Sequence, residues 1–164
     1  MKQKADIGNI LFCIVLAMLY VSIFSFSTSP FYSNQRLDDS NYFFLIGRGW
    51  LNGQLPYVDF FDNKGPFIYL INAMGFALTG NKYGIYVIQI ITNSLTFYFC
   101  LRILQQRYSR PISLALTSLI ALGLSIMTEG GNAVEEYVLP FIVLSFGYFY
   151  RWGHQTKSDT VPTP

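Results

Sequence analysis

Ile7 to Phe26 is a run of about 20 residues without a single acid or base. As a helix rising about 1.5 Å per residue, it spans the roughly 30 Å hydrocarbon core of a bilayer. Three further apolar stretches follow, Tyr83 to Leu104, Ile112 to Met127 and Val138 to about Trp152. Only 12% of the 164 residues are charged and 52% are hydrophobic, against about 25% charged in soluble domains. The expected fold is an all-α membrane protein with about four transmembrane helices. Residues 1–152 would form one transmembrane module with a long outer loop over 27–82, and residues 153–164 a polar cytoplasmic tail. The basic start at Lys2 and Lys4 is shared with signal peptides, but Ser27-Thr28-Ser29-Pro30 offers no clear small-x-small cleavage site.

Pro66 to Leu78 is also apolar, yet about 13 residues are too few to cross. Leaving it outside the count puts Lys2, Lys4, Arg102, Arg107, Arg110, Arg151 and Lys157 inside, against Asp6 and Asp159. The opposite side then holds Arg36, Arg48, Lys64 and Lys82 against seven acids, so the net +2 divides into +5 inside and −3 outside. The positive-inside rule selects this arrangement, with both termini cytoplasmic and the apolar stretch in the outer interface. A net +2 without a basic face excludes a nucleic-acid partner. The middles of the crossings carry no charge, which disfavours a transporter or channel component. Cys13 and Cys100 lie in apolar runs without metal-ligand spacing and are expected as free thiols.

The scarce charges of the outer loop are its chemistry. Asp39 to Asn52 reads as an amphipathic helix with Tyr42, Leu45, Ile46, Gly49 and Trp50 on one face, capped by Asp38 or Asp39 and stopped by Gly53. Tyr57 to Pro66 embeds Asp59, Asp62 and Lys64 in aromatics, with Gly65 as N-cap and Pro66 at the first helical position. Lys64 beside a helix N-terminus suits a lipid phosphate; pairing with Asp59 or Asp62 is the alternative. In the second outer loop, Glu129, Glu135 and Glu136 follow the same side of the membrane. Glu135 and Glu136 either open a helix or join Asp38 and Asp39 in an oxygen-rich cluster, which would suit Mg²⁺ or Mn²⁺. Gln89, Thr92, Asn93, Ser94 and Thr96 form a polar patch in the second crossing, read as helix-to-helix hydrogen bonding.

The ordered series Asp38-Asp39-Ser40-Asn41-Tyr42, Gly47-Arg48, Gly53, Pro56-Tyr57, Asp59-Phe60 and Lys64-Gly65-Pro66 resembles the first outer loop of the GT-C glycosyltransferases. These polytopic enzymes use polyprenyl-phosphate-linked sugars. The resemblance implies a membrane glycosyltransferase of the bacterial cytoplasmic membrane, transferring a sugar from a polyprenyl-phosphate donor to a hydroxyl of a cell-envelope glycan, lipid or protein. It implies Asp38 as general base, Asp39 as its acidic neighbour, and Lys64, with Arg48, at the donor phosphate. Asp59, Asp62, Glu135 and Glu136 would be further acids of the site. Such enzymes are much longer, so the resemblance implies an N-terminal module, or one half of a split enzyme working with a companion chain. A non-catalytic membrane subunit is the other expectation.

Overall fold

A computed structural model describes residues 7–32, 39–128 and 130–159, with side chains through residue 152. Among them the chain forms six helices and no strand: α1 (Ile7–Phe24), α2 (Asp39–Leu51), α3 (Pro66–Thr79), α4 (Tyr83–Leu104), α5 (Arg110–Met127) and α6 (Val134–Asp159). Three of them, α1, α4 and α5, are long and apolar enough to cross a membrane. They measure about 27, 33 and 27 Å at 1.5 Å per residue. α3, at about 21 Å, is shorter than the hydrocarbon core. α6 contains the expected fourth stretch and carries Pro140 within it; its backbone stays helical to Asp159, into the segment read as a tail.

α4 is the hub, packing against α1, α3, α5 and α6. α1 turns a narrow stripe inward, Asn9, Cys13, Ala17, Tyr20 and Val21, against Phe97 and Leu101 of α4 and Ala121 of α5. Its larger apolar side chains, Leu11, Val15, Met18 and Leu19 among them, point outward and are exposed. In water such a contiguous surface would drive association. With a narrow buried stripe and many large apolar side chains outside, this pattern fits a bundle surrounded by lipid. Cys13 and Cys100 are both free.

α2 and α3 pair into a layer with its own core, Phe43, Ile46, Ile68, Tyr69 and Ile71, which also takes in Tyr137 of α6. The inward stripe of α2 is Ser40, Phe43, Phe44, Ile46, Gly47 and Gly49. Tyr42 and Leu45, expected inside, are exposed. Here the partner decided the stripe, because α3 comes so close that a Cβ on Gly47 would stand 2.8 Å from the Asn72 Cβ. The expected stops are observed: Gly53 takes φ 87° after α2, and α3 begins with Gly65 as N-cap and Pro66 in its first turn.

The helix ends sort the charges. Arg102, Arg107, Arg110 and Arg151 gather where α4 ends and α5 begins, with Arg110 donating to Asn9 (3.1 Å) and Arg107 to Tyr150. The described side chains of Asp39, Asp59, Asp62, Glu135 and Glu136 all lie at the opposite end, around α2, α3 and the start of α6. α3 meets α4 through glycine: a Cβ on Gly84 would run into the Gly75 carbonyl oxygen, whereas one on Gly123 of α5 meets nothing within 4 Å. Gly84→Ala should therefore destabilise the protein by about 1–3 kcal/mol through overpacking. Gly123→Ala should stay within about 1 kcal/mol of wild type, on the stable side; thermal unfolding in detergent compares the two.

Candidate functional site

Around the acidic end, three segments converge on a cavity of about 400 Å³. Its walls are the first turns of α2 (Asp39, Ser40, Phe43), Lys64 ahead of α3, and residues 127–128 and 131–135. Lys64 Nζ stands 3.7 Å from Asp39 Oδ2, and both side chains are open to solvent, at 42% and 78% exposure. Lys64 therefore pairs with neither Asp59 nor Asp62. The Asp59 carboxylate instead closes a local turn by accepting the Leu55 amide at 2.7 Å. Asp62 accepts the Asn63 amide at 2.7 Å and the Tyr69 hydroxyl. Burial, reinforced by the Asp62 carboxylate, pushes the Tyr69 phenol well above its ordinary range and keeps it a donor.

What holds Lys64 in place is its own carbonyl oxygen, which accepts from Tyr57 (2.5 Å) and Tyr69 (3.4 Å). The two rings meet edge to face at 5.9 Å. Tyr57 adopts φ 67°, a left-handed conformation uncommon for a bulky side chain. Tyr42 ties the same loop to α2 by donating to the Phe61 carbonyl at 2.5 Å. In the sequence Tyr42 and Tyr57 stood out only as part of a helix face and a motif series, and Tyr69 not at all, because aromatics are too common there to signal a clamp.

Glu135 and Glu136, equivalent in sequence, are opposites in space. Glu135 lines the cavity and is exposed, whereas Glu136 is 1% exposed. Its Oε2 accepts Gln89 Nε2 at 2.6 Å and the Asn132 amide at 3.0 Å, so Glu136 reaches back as a helix-opening cap. Asn132, at φ 57°, extends the network by donating to Ser40 Oγ (2.9 Å) and Asn72 Oδ1 (3.0 Å), while its Oδ1 accepts from Tyr137 (2.7 Å). Gln89 Oε1 in turn accepts from Ser25 (3.2 Å) and Thr28. Gln89 alone of the polar patch in α4 bonds to other elements; Thr92, Asn93, Ser94 and Thr96 donate to carbonyls one turn back in their own helix.

Asp38 and Glu129 lie outside the described residues. Arg48 is not brought to Lys64; it stacks 4.4 Å over the Phe76 ring and faces a different cavity with Lys82 and Tyr83. Among the described residues no three His, Cys, Asp or Glu side chains gather closely enough to hold a metal ion, so the oxygen-rich cluster expected for Mg²⁺ or Mn²⁺ is not assembled by them.

An all-α chain with three membrane-length apolar helices and a polar cavity at one end is the class these features define. Within it, residues 2–161 match the competence-induced Ccs4 N-terminal domain, and the chain belongs to that family. This match corrects the resemblance to GT-C glycosyltransferases: the ordered series from Asp38 to Pro66 is compatible with a different family, because capping acids, turn glycines and Lys-Gly-Pro at a helix start serve local structure whatever the chemistry. No curated protein and no solved structure matches the chain.

Burial raises the Glu136 carboxyl from 4.5 to about 7, against the hydrogen bonds from Gln89 and the Asn132 and Ala133 amides. The folded protein thus keeps a proton that the unfolded chain has already released, and stability falls as pH rises through this window. The contribution of this group is full below about pH 4.5 and is lost by about pH 7. The hydrogen bonds from Gln89 Nε2 and the Asn132 amide fall on one oxygen, Oε2, so Glu136→Gln keeps an acceptor for these two while removing the charge. Its midpoint temperature in detergent should exceed that of wild type at pH 8 and change less between pH 5 and 8; an unchanged pH profile would exclude a titrating Glu136.

Proposed function

We propose that α1, α4, α5 and the apolar part of α6 cross a bacterial cytoplasmic membrane, with both termini cytoplasmic and the Lys64–Asp39 cavity on the outer face. The gathering of Arg102, Arg107, Arg110 and Arg151 at the end away from the cavity supports this orientation. α3 is bound through Asn72 to Asn132, in the turn between α5 and α6, which supports its lying on the outer surface.

In this reading the cavity receives the headgroup of a polyprenyl-phosphate-linked sugar and passes the sugar to a hydroxyl of a cell-envelope acceptor. The carrying observation is one cation and one carboxylate, Lys64 and Asp39, at the mouth of a polar cavity beside apolar helices. The bond from the anomeric carbon to the phosphate oxygen would break as the acceptor oxygen bonds to that carbon. Lys64 would neutralise the departing phosphate, and a carboxylate of the Asp38–Asp39 pair would take the acceptor proton. Glu135, which lines the same cavity, would bond sugar hydroxyls. The description of the family, competence-induced, concerns when its members are made and leaves the substrate open.

The exposure of both Lys64 and Asp39 favours a second reading, a membrane subunit whose cavity is completed by a companion chain, because transfer chemistry needs water excluded. A polyprenyl-phosphate-linked hexose, presented in vesicles to the reconstituted full chain, separates these readings. Lys64→Ala should weaken its binding about tenfold, the scale of one charge-assisted contact. Turnover that Asp39→Asn abolishes supports the transferase; donor binding without turnover supports the subunit, and Lys64-independent binding sinks both.

A further inference from the structure

At the end of the bundle opposite the cavity, α4 and α6 part to leave a groove of about 210 Å³. Its floor is tight, since a Cβ on Gly147 would stand 3.0 Å from Ile103 Cδ1. Two guanidiniums line it, Arg102 from α4 and Arg151 from α6. Neither has an acidic partner or a side-chain hydrogen bond among the described residues, unlike neighbouring Arg107 and Arg110, which are engaged by Tyr150 and Asn9. No described acidic side chain lines the groove. Deeper along the same two helices its walls become apolar, through Phe99, Val143 and Leu144, and run into the exposed apolar face of α6.

We propose that this groove holds one anionic phospholipid, its phosphodiester between Arg102 and Arg151 and its acyl chains along Phe99, Val143 and Leu144. Charge complementarity selects the occupant. Two unpaired guanidiniums call for a phosphate, which the planar fork of arginine can bind bidentately. The apolar continuation one to two turns deeper calls for attached hydrocarbon rather than a soluble anion. A zwitterionic lipid would bring its own cation to a site already carrying two. Basic pockets between membrane helices bind anionic headgroups on this basis. The site is remote from the Lys64 cavity and stands whether or not that cavity handles a sugar.

Native mass spectrometry of the full chain in detergent tests the proposal, using dioleoyl phosphatidylglycerol, dioleoyl phosphatidylcholine and soluble glycerol 3-phosphate as probes. Wild type should retain one phosphatidylglycerol in preference to phosphatidylcholine. The Arg102→Gln/Arg151→Gln double variant should bind it about 30-fold more weakly, the value expected from two basic side chains at a lipid surface. Arg107→Gln, outside the groove, should bind as wild type does. If the double variant does not purify, each single glutamine variant decides, with about fivefold weakening expected. Equal retention of the two lipids, undiminished binding by the variants, or displacement by glycerol 3-phosphate at equal concentration would overturn the assignment.

Discussion

One buried carboxyl holds the acidic end of this protein together. Glu136 sits at the first turn of α6 with almost no exposure, and through Gln89 and Asn132 it links four helices, α2, α3, α4 and α6, with the segment after α1. Gln89 gathers Ser25 and Thr28 beyond α1; Asn132 gathers Ser40 of α2 and Asn72 of α3. An unpaired group in such a place would be costly, so each member depends on the others for its partner. The turn that presents Asn132 also needs Gly131 at φ 89°, because a Cβ there would stand 2.7 Å from the Ser25 Cα. The network thus ties two walls of the cavity together, that of Ser40 and that of Asn132 and Glu135.

Two kinds of packing are joined by that network. Away from it, the long helices meet through a narrow stripe that mixes Cys13, Ala17 and Ala121 with Tyr20, Phe97 and Leu101, and many of their large apolar side chains stay outside, an arrangement suited to lipid. Around it, α2 and α3 bury aromatic and branched side chains against each other, as a water-facing layer does. Lys64 and Asp39 stand where these regimes meet, at the open edge of the α2–α3 layer.

Much of the helical organisation was legible from local rules. The spans of α1, α4 and α5 follow from runs of apolar residues, and the start of α3 follows from Gly65-Pro66. The inward face of α2 was legible in part: Ile46 and Gly49 turn inward and Trp50 packs on the core as the periodicity requires, whereas Tyr42 and Leu45 are exposed and Ser40, Phe43 and Gly47 are buried instead. The choice lay with α3, whose close approach accepts glycine and rejects a larger residue. Family membership was not legible: a motif series that reads as one family's active loop also describes an ordinary loop–helix boundary, and the match over residues 2–161 assigns a different family.

By itself, the sequence determined which segments are helical and apolar, and that the acids are concentrated between them, because hydrophobic burial and helix capping are sums over neighbouring residues. Only the tertiary structure decided which acid does what. Glu135 and Glu136 differ by one position, about 100° of helix rotation. That rotation separates a carboxylate in an open cavity from one sealed against Gln89, 47 residues earlier in the chain. Lys64 likewise passed over its neighbours Asp59 and Asp62 for Asp39, because those two carboxylates were already held by the Leu55 and Asn63 amides and the Tyr69 hydroxyl. Pairing depends on which groups remain free once the segments have packed, and that is a property of the assembled fold.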